Sequence, residues 1–411
     1  MPRTALLSHL TGAAPPWTPR GLQDPYPWFT EALTGPSVVY DARADIWHVF
    51  RYDDVRSLLR DADVWSVAKR MERVPAEQRI IRLLMSDPPG HSTLRQHFSR
   101  AYRPRRVASI EARVREVAIE LIDRALDVGT CDIIGDIAVP LTRTIIGDLI
   151  GVPGEDLEEC ARHAIKNPLG TVAEDEDGEY HVVIWMGAGE PENNRHFNEY
   201  FRDLIEERRR APRDDLVSAL AQMRLDDASD LSGHLNIGAL LDEQFGAGQN
   251  TTVHVLGTML ATFAEQPDQL SQVRHDRALV PLAVEEALRY CAPLQARPRI
   301  STAPTTLAGN AIPEGAVALA WLQAANIDPR EFDDPLKFDC ARTHNPHVSF
   351  GFGEHYCLGA ALARIEIRVM LVEWLDRVDE FHRVDPGAPL SWMPTYMLRG
   401  LNRLDLDVTA R

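Results

Sequence analysis

The stretch Phe350-Gly351-Phe352-Gly353-Glu354-His355-Tyr356-Cys357-Leu358-Gly359 decides how this chain is read. It sets one cysteine after a glycine-punctuated turn. Ala360-Ala361-Leu362-Ala363-Arg364-Ile365-Glu366 follows and reads as helix. A thiolate at a helix start is stabilised by the positive end of the backbone dipole and by free N–H groups. Gly351, Gly353 and Gly359 remove side chains where a large flat ligand could lie against the backbone.

A free cysteine is usually buried and inert. The spacing F-x-x-G-x-x-x-C-x-G sets Cys357 apart from that background. It closely resembles the haem-ligand loop of the cytochrome P450 monooxygenases, where the phenylalanine shields the sulfur and the cysteine binds iron. The resemblance implies haem b (iron protoporphyrin IX) as cofactor and Cys357 as the axial ligand of its iron. Phe350, Gly351, His355 and Gly359 are then cofactor contacts. A sulfur ligand pushes electron density toward the iron and favours O–O cleavage.

Phe245-Gly246-Ala247-Gly248-Gln249-Asn250-Thr251-Thr252 sits inside an apolar-periodic stretch from Leu235 to Phe263, read as a long helix. Gly246 and Gly248 weaken a helix by about 1 kcal/mol each relative to alanine. They suit close helix packing, or a local widening that makes room for dioxygen. The segment resembles the family's A-G-x-acid-Thr-Thr pattern. Ala247 and Gly248 are then haem contacts, and Thr251 is the threonine that handles dioxygen and helps deliver protons. Asn250 stands where the family usually has Asp or Glu, and an amide does not titrate near neutral pH. Proton delivery then runs through water, Thr252 or the substrate.

Haem propionates need cationic or donor partners. His91 and Arg95, four apart after Asp87-Pro88-Pro89-Gly90, resemble the family's propionate signature. Arg299 and His355 match two further propionate positions. Glu286-Ala287-Leu288-Arg289 is an E-x-x-R on a helix face about 70 residues before Cys357, where the family has one. With Arg342 it reads as a structural ion network. Ala325-Asn326-Ile327-Asp328-Pro329 and the run from Phe332 to Asp339 add family-like, structural stretches.

The chain has 411 residues, 45% of them hydrophobic, with 61 acidic and 44 basic residues giving a formal charge of −17. That balance disfavours nucleic acid and anionic membrane as partners. No run of about 18 apolar residues occurs, and the start lacks a signal-peptide core, so a cytoplasmic protein is expected. Five scattered cysteines form no C-x-x-C pair, which argues against zinc and a disulfide framework.

Prolines crowd residues 1–36, and an extended arm is expected there, followed by a single haem domain over 37–411. The fold class is mainly α with a smaller β portion: a helix-rich haem domain plus a small sheet-containing subdomain. Residues 167–194 read as a mobile connection or substrate lid. From the family layout, substrate contacts are expected from Trp65–Met71 and neighbours before Asp87, the lid region near Leu169–Trp185, Gln295–Pro298 and Met393–Met397, with Trp65, Trp185, Gln295, Ala296 and Met393 as the candidates.

Arg100, Arg103, Arg105 and Arg106 form a basic cluster in an acidic chain. The resemblance implies docking of a small acidic ferredoxin there, with electrons passed on from a ferredoxin reductase. The expected function is insertion of one oxygen atom from O2 into a small organic substrate, in the tailoring of a specialised metabolite, by a monomer. Two alternatives stay open. Asn250 could mark coupling, desaturation, nitration or rearrangement chemistry, and a haem sensor or carrier would not turn over at all.

Overall fold

The computed structural model describes residues 13–73, 79, 81–163, 171–174, 180–183, 191–223 and 236–411. Helices dominate it, as the periodicity requires. The largest apolar cluster gathers side chains from the helices Pro104–Val128, Val139–Ile150, Ile237–Glu265, Val280–Tyr290 and Ala360–Arg377. Each fully buried Leu or Phe in it contributes about 1.5–3 kcal/mol. Among the described residues, no helix is long and apolar enough to cross a membrane.

The helix Ile237–Glu265 is the axis of this core. Asn236 starts it by accepting the Ala239 N–H at 3.1 Å. Phe245, Val253, Leu256, Met259 and Phe263 are all buried on it. Asp242, Glu243, Gln244 and His254 are buried on it as well, so the helix lies in the interior. It is helical without interruption through Gly246–Thr252. Gly248 is needed for packing: a Cβ there would lie 2.6 Å from Ile146 Cδ1 on the neighbouring helix.

The smaller β portion is a five-stranded sheet. Its order is Val38–Asp41, Ile46–Val49, Val317–Trp321, Ala296–Ser301 and Trp65–Ser66. Ile46–Val49 and Val317–Trp321 pair parallel, and the other pairings are antiparallel. Along Ala296–Ser301 the side chains alternate: Ala296 and Ile300 enter an apolar cluster with Trp321, while Arg297 and Arg299 turn to a cavity.

From residue 13 onward, where it is described, the proline-dense start does not stay extended. Pro19–Gln23 and Tyr26–Thr34 are helices, with prolines confined to their first turns. Those positions need no N–H donor, so proline is tolerated there. Trp28, Phe29, Ala32 and Leu33 then bury against Trp321 and its neighbours. Within 167–194 the described parts are an antiparallel hairpin, Thr171–Glu174 with Tyr180–Val183, and the start of the helix Pro191–Arg210. The remainder, Trp185 included, lies outside the described residues.

Glu286 and Arg289 are fully buried and meet in a bidentate pair at 2.8 and 2.8 Å. Arg289 also donates to the carbonyls of Asn326, Pro335 and Lys337. Glu286 accepts from Arg342 Nε at 3.1 Å, Asn345 Nδ2 and the Asp339 N–H. The network therefore ties the helix Val280–Tyr290 to the chain that leads into the cysteine loop. Removing one partner leaves a buried charge unpaired. Glu286→Ala is expected to cost about 3–5 kcal/mol in urea unfolding; a loss below about 1 kcal/mol would show that the network does not hold this region.

Candidate active site: a cationic cavity closed by a cysteine loop

One cavity, enclosing roughly 1480 Å³ with its open mouth counted, joins the cysteine loop to the long helix and the edge of the sheet. Cys357 borders it, with Phe350, Gly351 and Gly359 from the same loop. Ala247, Gly248, Thr251 and Thr252 border it from the long helix. His91, Arg95, Arg299 and His355 complete the set.

The loop is built to hold Cys357 in place. The Cys357 N–H donates to the Phe350 carbonyl at 2.8 Å, and Arg95 Nη2 donates to the Tyr356 carbonyl at 2.6 Å. Gly353 has φ +73°, and a Cβ there would lie 2.7 Å from the Leu59 carbonyl oxygen. No other residue fits that turn. The Arg364 guanidinium lies over the Phe350 ring, 4.5 Å from its centroid, and pairs bidentately with Glu285. Burial pushes the Cys357 thiol up. The Gly359 N–H and the guanidiniums of Arg297, Arg95 and Arg364 pull it the other way. The sulfur faces the cavity, while protein surrounds the residue elsewhere.

The polar side of the cavity is short of anions. The His91 and His355 rings stand 4.1 Å apart, and both nitrogens of His91 and Nε2 of His355 are buried without a partner. Burial and then Arg299, His91, Arg297 and Arg95 push His355 down to about 2. Burial, then Arg297 and Arg70, push Arg299 down to about 9. Orphaned donors and mutually repelling cations are arranged as if for an anionic guest. A flat group with two carboxylates at one edge and a metal that takes one sulfur fits these residues.

On the opposite wall, Thr251 Oγ1 donates to the Ala247 carbonyl at 3.0 Å. Thr252 borders the cavity beside Glu366, which is buried yet also borders it. Burial pushes the Glu366 carboxyl up to about 8, against the lowering effect of Thr252. It is therefore protonated at neutral pH. Asn250 is partly exposed and does not border the cavity.

Comparison with known proteins agrees with this geometry. The sequence model of the cytochrome P450 family matches residues 184–392. Cytochrome P450 109 of Bacillus spizizenii is 33% identical over 94% of this chain and 92% of its own length. The chain belongs to the cytochrome P450 family. Cytochrome P450 monooxygenase PikC of Streptomyces venezuelae is likewise 33% identical, over 93% of this chain and 91% of its own. The solved structure of CYP109Q5 from Chondromyces apiculatus superposes with a TM-score of 0.82 at 30% identity, covering 96% of this chain and 98% of that one. The family binds haem through a cysteine thiolate and incorporates oxygen from O2.

Several residues expected at the substrate stand elsewhere in this P450. Trp65 is buried in an apolar cluster with Val38, Leu294 and Leu398, and Met393 packs against it. Gln295 is buried, donating Nε2 to the Tyr396 carbonyl at 3.0 Å. Ala296 faces the Trp321 cluster because strand alternation sends it away from Arg297. Arg100, Arg103 and Arg105 are exposed, and Arg106 is partly buried and paired with Asp214. Arg70 and Arg297, within the expected stretches Trp65–Met71 and Gln295–Pro298, do border the cavity; Glu366, Tyr102 and Gln244 border it too and were missed by sequence reasoning. Glu366 was legible in principle: Gly359, Leu362, Ala363, Glu366 and Ile367 share one helical stripe.

Glu366 sets a pH dependence with a definite sign. Its folded value of about 8 lies above the ordinary 4.5. Below 4.5 both states carry the proton. Between 4.5 and 8 only the folded chain does, so stability falls as pH rises across that window and levels off above it. Glu366→Gln is expected to flatten this fall in urea midpoints recorded across the window. Parallel curves for the two proteins would rule out a raised Glu366.

Proposed function

We propose that this P450 monooxygenase inserts one oxygen atom of O2 into a small organic molecule during the tailoring of a specialised metabolite. A separate ferredoxin and ferredoxin reductase supply the electrons, in the cytoplasm. The observation that carries the reading is the meeting of Cys357, Thr251 and the Thr252–Glu366 pair in one cavity. Cys357 Sγ would hold the iron of haem b. Arg95, Arg299, His91 and His355 hold its propionates, relieving the crowding of unpaired donors there. Haem bound in this cavity supplies the reduction and cleavage of O2 and the transfer of oxygen.

The chain's own residues supply position, dryness and protons. Leu83, Leu84, Leu294 and Leu322 give the cavity an apolar wall that excludes water. Thr251, held at Ala247, presents its hydroxyl to the oxygen side of the cavity. Glu366 keeps a proton at neutral pH and borders the cavity beside Thr252, so it serves as the proton reservoir. Asn250 cannot titrate and stands off the cavity wall. The missing acid's work falls to Glu366, which favours ordinary oxygen insertion over coupling, desaturation, nitration or rearrangement. The exposed Arg100, Arg103 and Arg105 give an acidic ferredoxin its docking charge.

The test is turnover with ferredoxin, reductase, NAD(P)H and ¹⁸O-labelled O2, on a compound chosen because it shifts the Soret band. One labelled oxygen in the product is expected; unlabelled or unoxygenated product overturns the reading. Thr251→Ala is expected to keep consuming NAD(P)H while product per reducing equivalent falls about tenfold or more and hydrogen peroxide takes its place. Unchanged coupling in that variant would remove Thr251 from oxygen handling.

A further inference from the structure

Two cationic side chains in the cavity are left over when the propionates are matched. Four arginines border it: Arg70, Arg95, Arg297 and Arg299. A ferric porphyrin core with its thiolate ligand is neutral overall, so the propionates are its net charge, and Arg95 and Arg299 balance them. Arg297 makes no hydrogen bond or ion pair within the described residues. Arg70 has one weak contact, Nη2 to the Leu84 carbonyl at 3.3 Å, and its Nε is buried without a partner.

The nearby acids are already engaged. Asp87 accepts from Ser66 and from the Val67 and Ala68 N–H groups. Glu243 accepts the Leu83 and Leu84 N–H groups at 2.8 and 3.0 Å, and Asp242 pairs with Arg82. Glu366, the acid that does border the cavity, is neutral at pH 7. Two guanidiniums from different elements, the 3₁₀ segment Ala68–Arg73 and the strand Ala296–Ser301, thus face one apolar-walled space with no protein anion between them among the described residues. Uncompensated charge in such a space is costly unless a ligand answers it.

We propose that Arg70 and Arg297 form a carboxylate-binding pair, so that the substrate is an organic acid with an apolar body. This rests on the cavity being the haem and substrate chamber of a monooxygenase, and it names the substrate class for that chamber. The acid group is held at the Arg70 and Arg297 end, and the apolar body lies along Leu83, Leu84 and Leu294.

The test uses the holoenzyme and alkyl imidazoles of graded chain length that end in a carboxylate or, as controls, in an alcohol. The imidazole ligates haem iron, so binding is read from the Soret shift without turnover or a known substrate. At one or more chain lengths the acid is expected to bind at least tenfold more tightly than its alcohol. Arg70→Gln and Arg297→Gln each weaken that preference and together abolish it, with haem content and alcohol affinity unchanged. Equal affinities at every length overturn the proposal, as does a preference that survives the double variant. Loss of haem from Arg297→Gln also overturns it, by assigning that arginine to a propionate. A wild-type protein that takes up no haem would instead sink the underlying monooxygenase reading.

Discussion

The structure depends on one hydrogen bond and what it pins: the Cys357 N–H on the Phe350 carbonyl at 2.8 Å. That bond closes the loop so that the sulfur stands at the cavity wall, ahead of the helix Ala360–Arg377. Gly353 can make the turn because it carries no Cβ to strike the Leu59 carbonyl. Arg364 braces Phe350, and Glu285 braces Arg364. The Glu286–Arg289–Arg342 network holds the segment leading into the loop. The sulfur is thus fixed by chain geometry, and the rest of the cavity is arranged around it.

The second constraint is charge. In a chain of formal charge −17, this cavity gathers arginines and neutral histidines and, among the described residues, one acid, Glu366, which is itself protonated. Such a site holds cations against their mutual repulsion and against burial, and both costs fall when anions enter. Cofactor carboxylates answer part of that charge. Arg70 and Arg297 carry the remainder toward the substrate, which makes the same electrostatic logic serve cofactor binding and specificity.

The mainly α fold with its smaller sheet was legible, because glycine and cysteine spacing around Cys357 and the long apolar run over Ile237–Glu265 both have strict physical causes. The cavity gathers His91, Arg95, Arg299 and His355 from segments far apart in sequence. Their order along the chain was suggestive through family resemblance; their proximity was not readable from periodicity. Glu366 escaped notice because it looks like any solvated glutamate on an amphipathic helix, and burial alone makes it a proton carrier. Arg297 fell within the stretch Gln295–Pro298 expected near substrate, but its charge was not singled out, although a strand puts it on the same face as Arg299. Ala296 and Trp65 were misplaced for the converse reason: their strands turn them into apolar clusters. The helices at Tyr26–Thr34 and Pro19–Gln23 were missed because proline was counted by density and not by its place in the first turn.

Iron X-ray absorption on the purified holoprotein tests the central claim most directly. One sulfur scatterer beside the porphyrin nitrogens is expected in the native protein, and its loss with the nitrogens retained in Cys357→Ser. A native first shell of nitrogen and oxygen alone, or a sulfur shell that survives Cys357→Ser, would contradict the account.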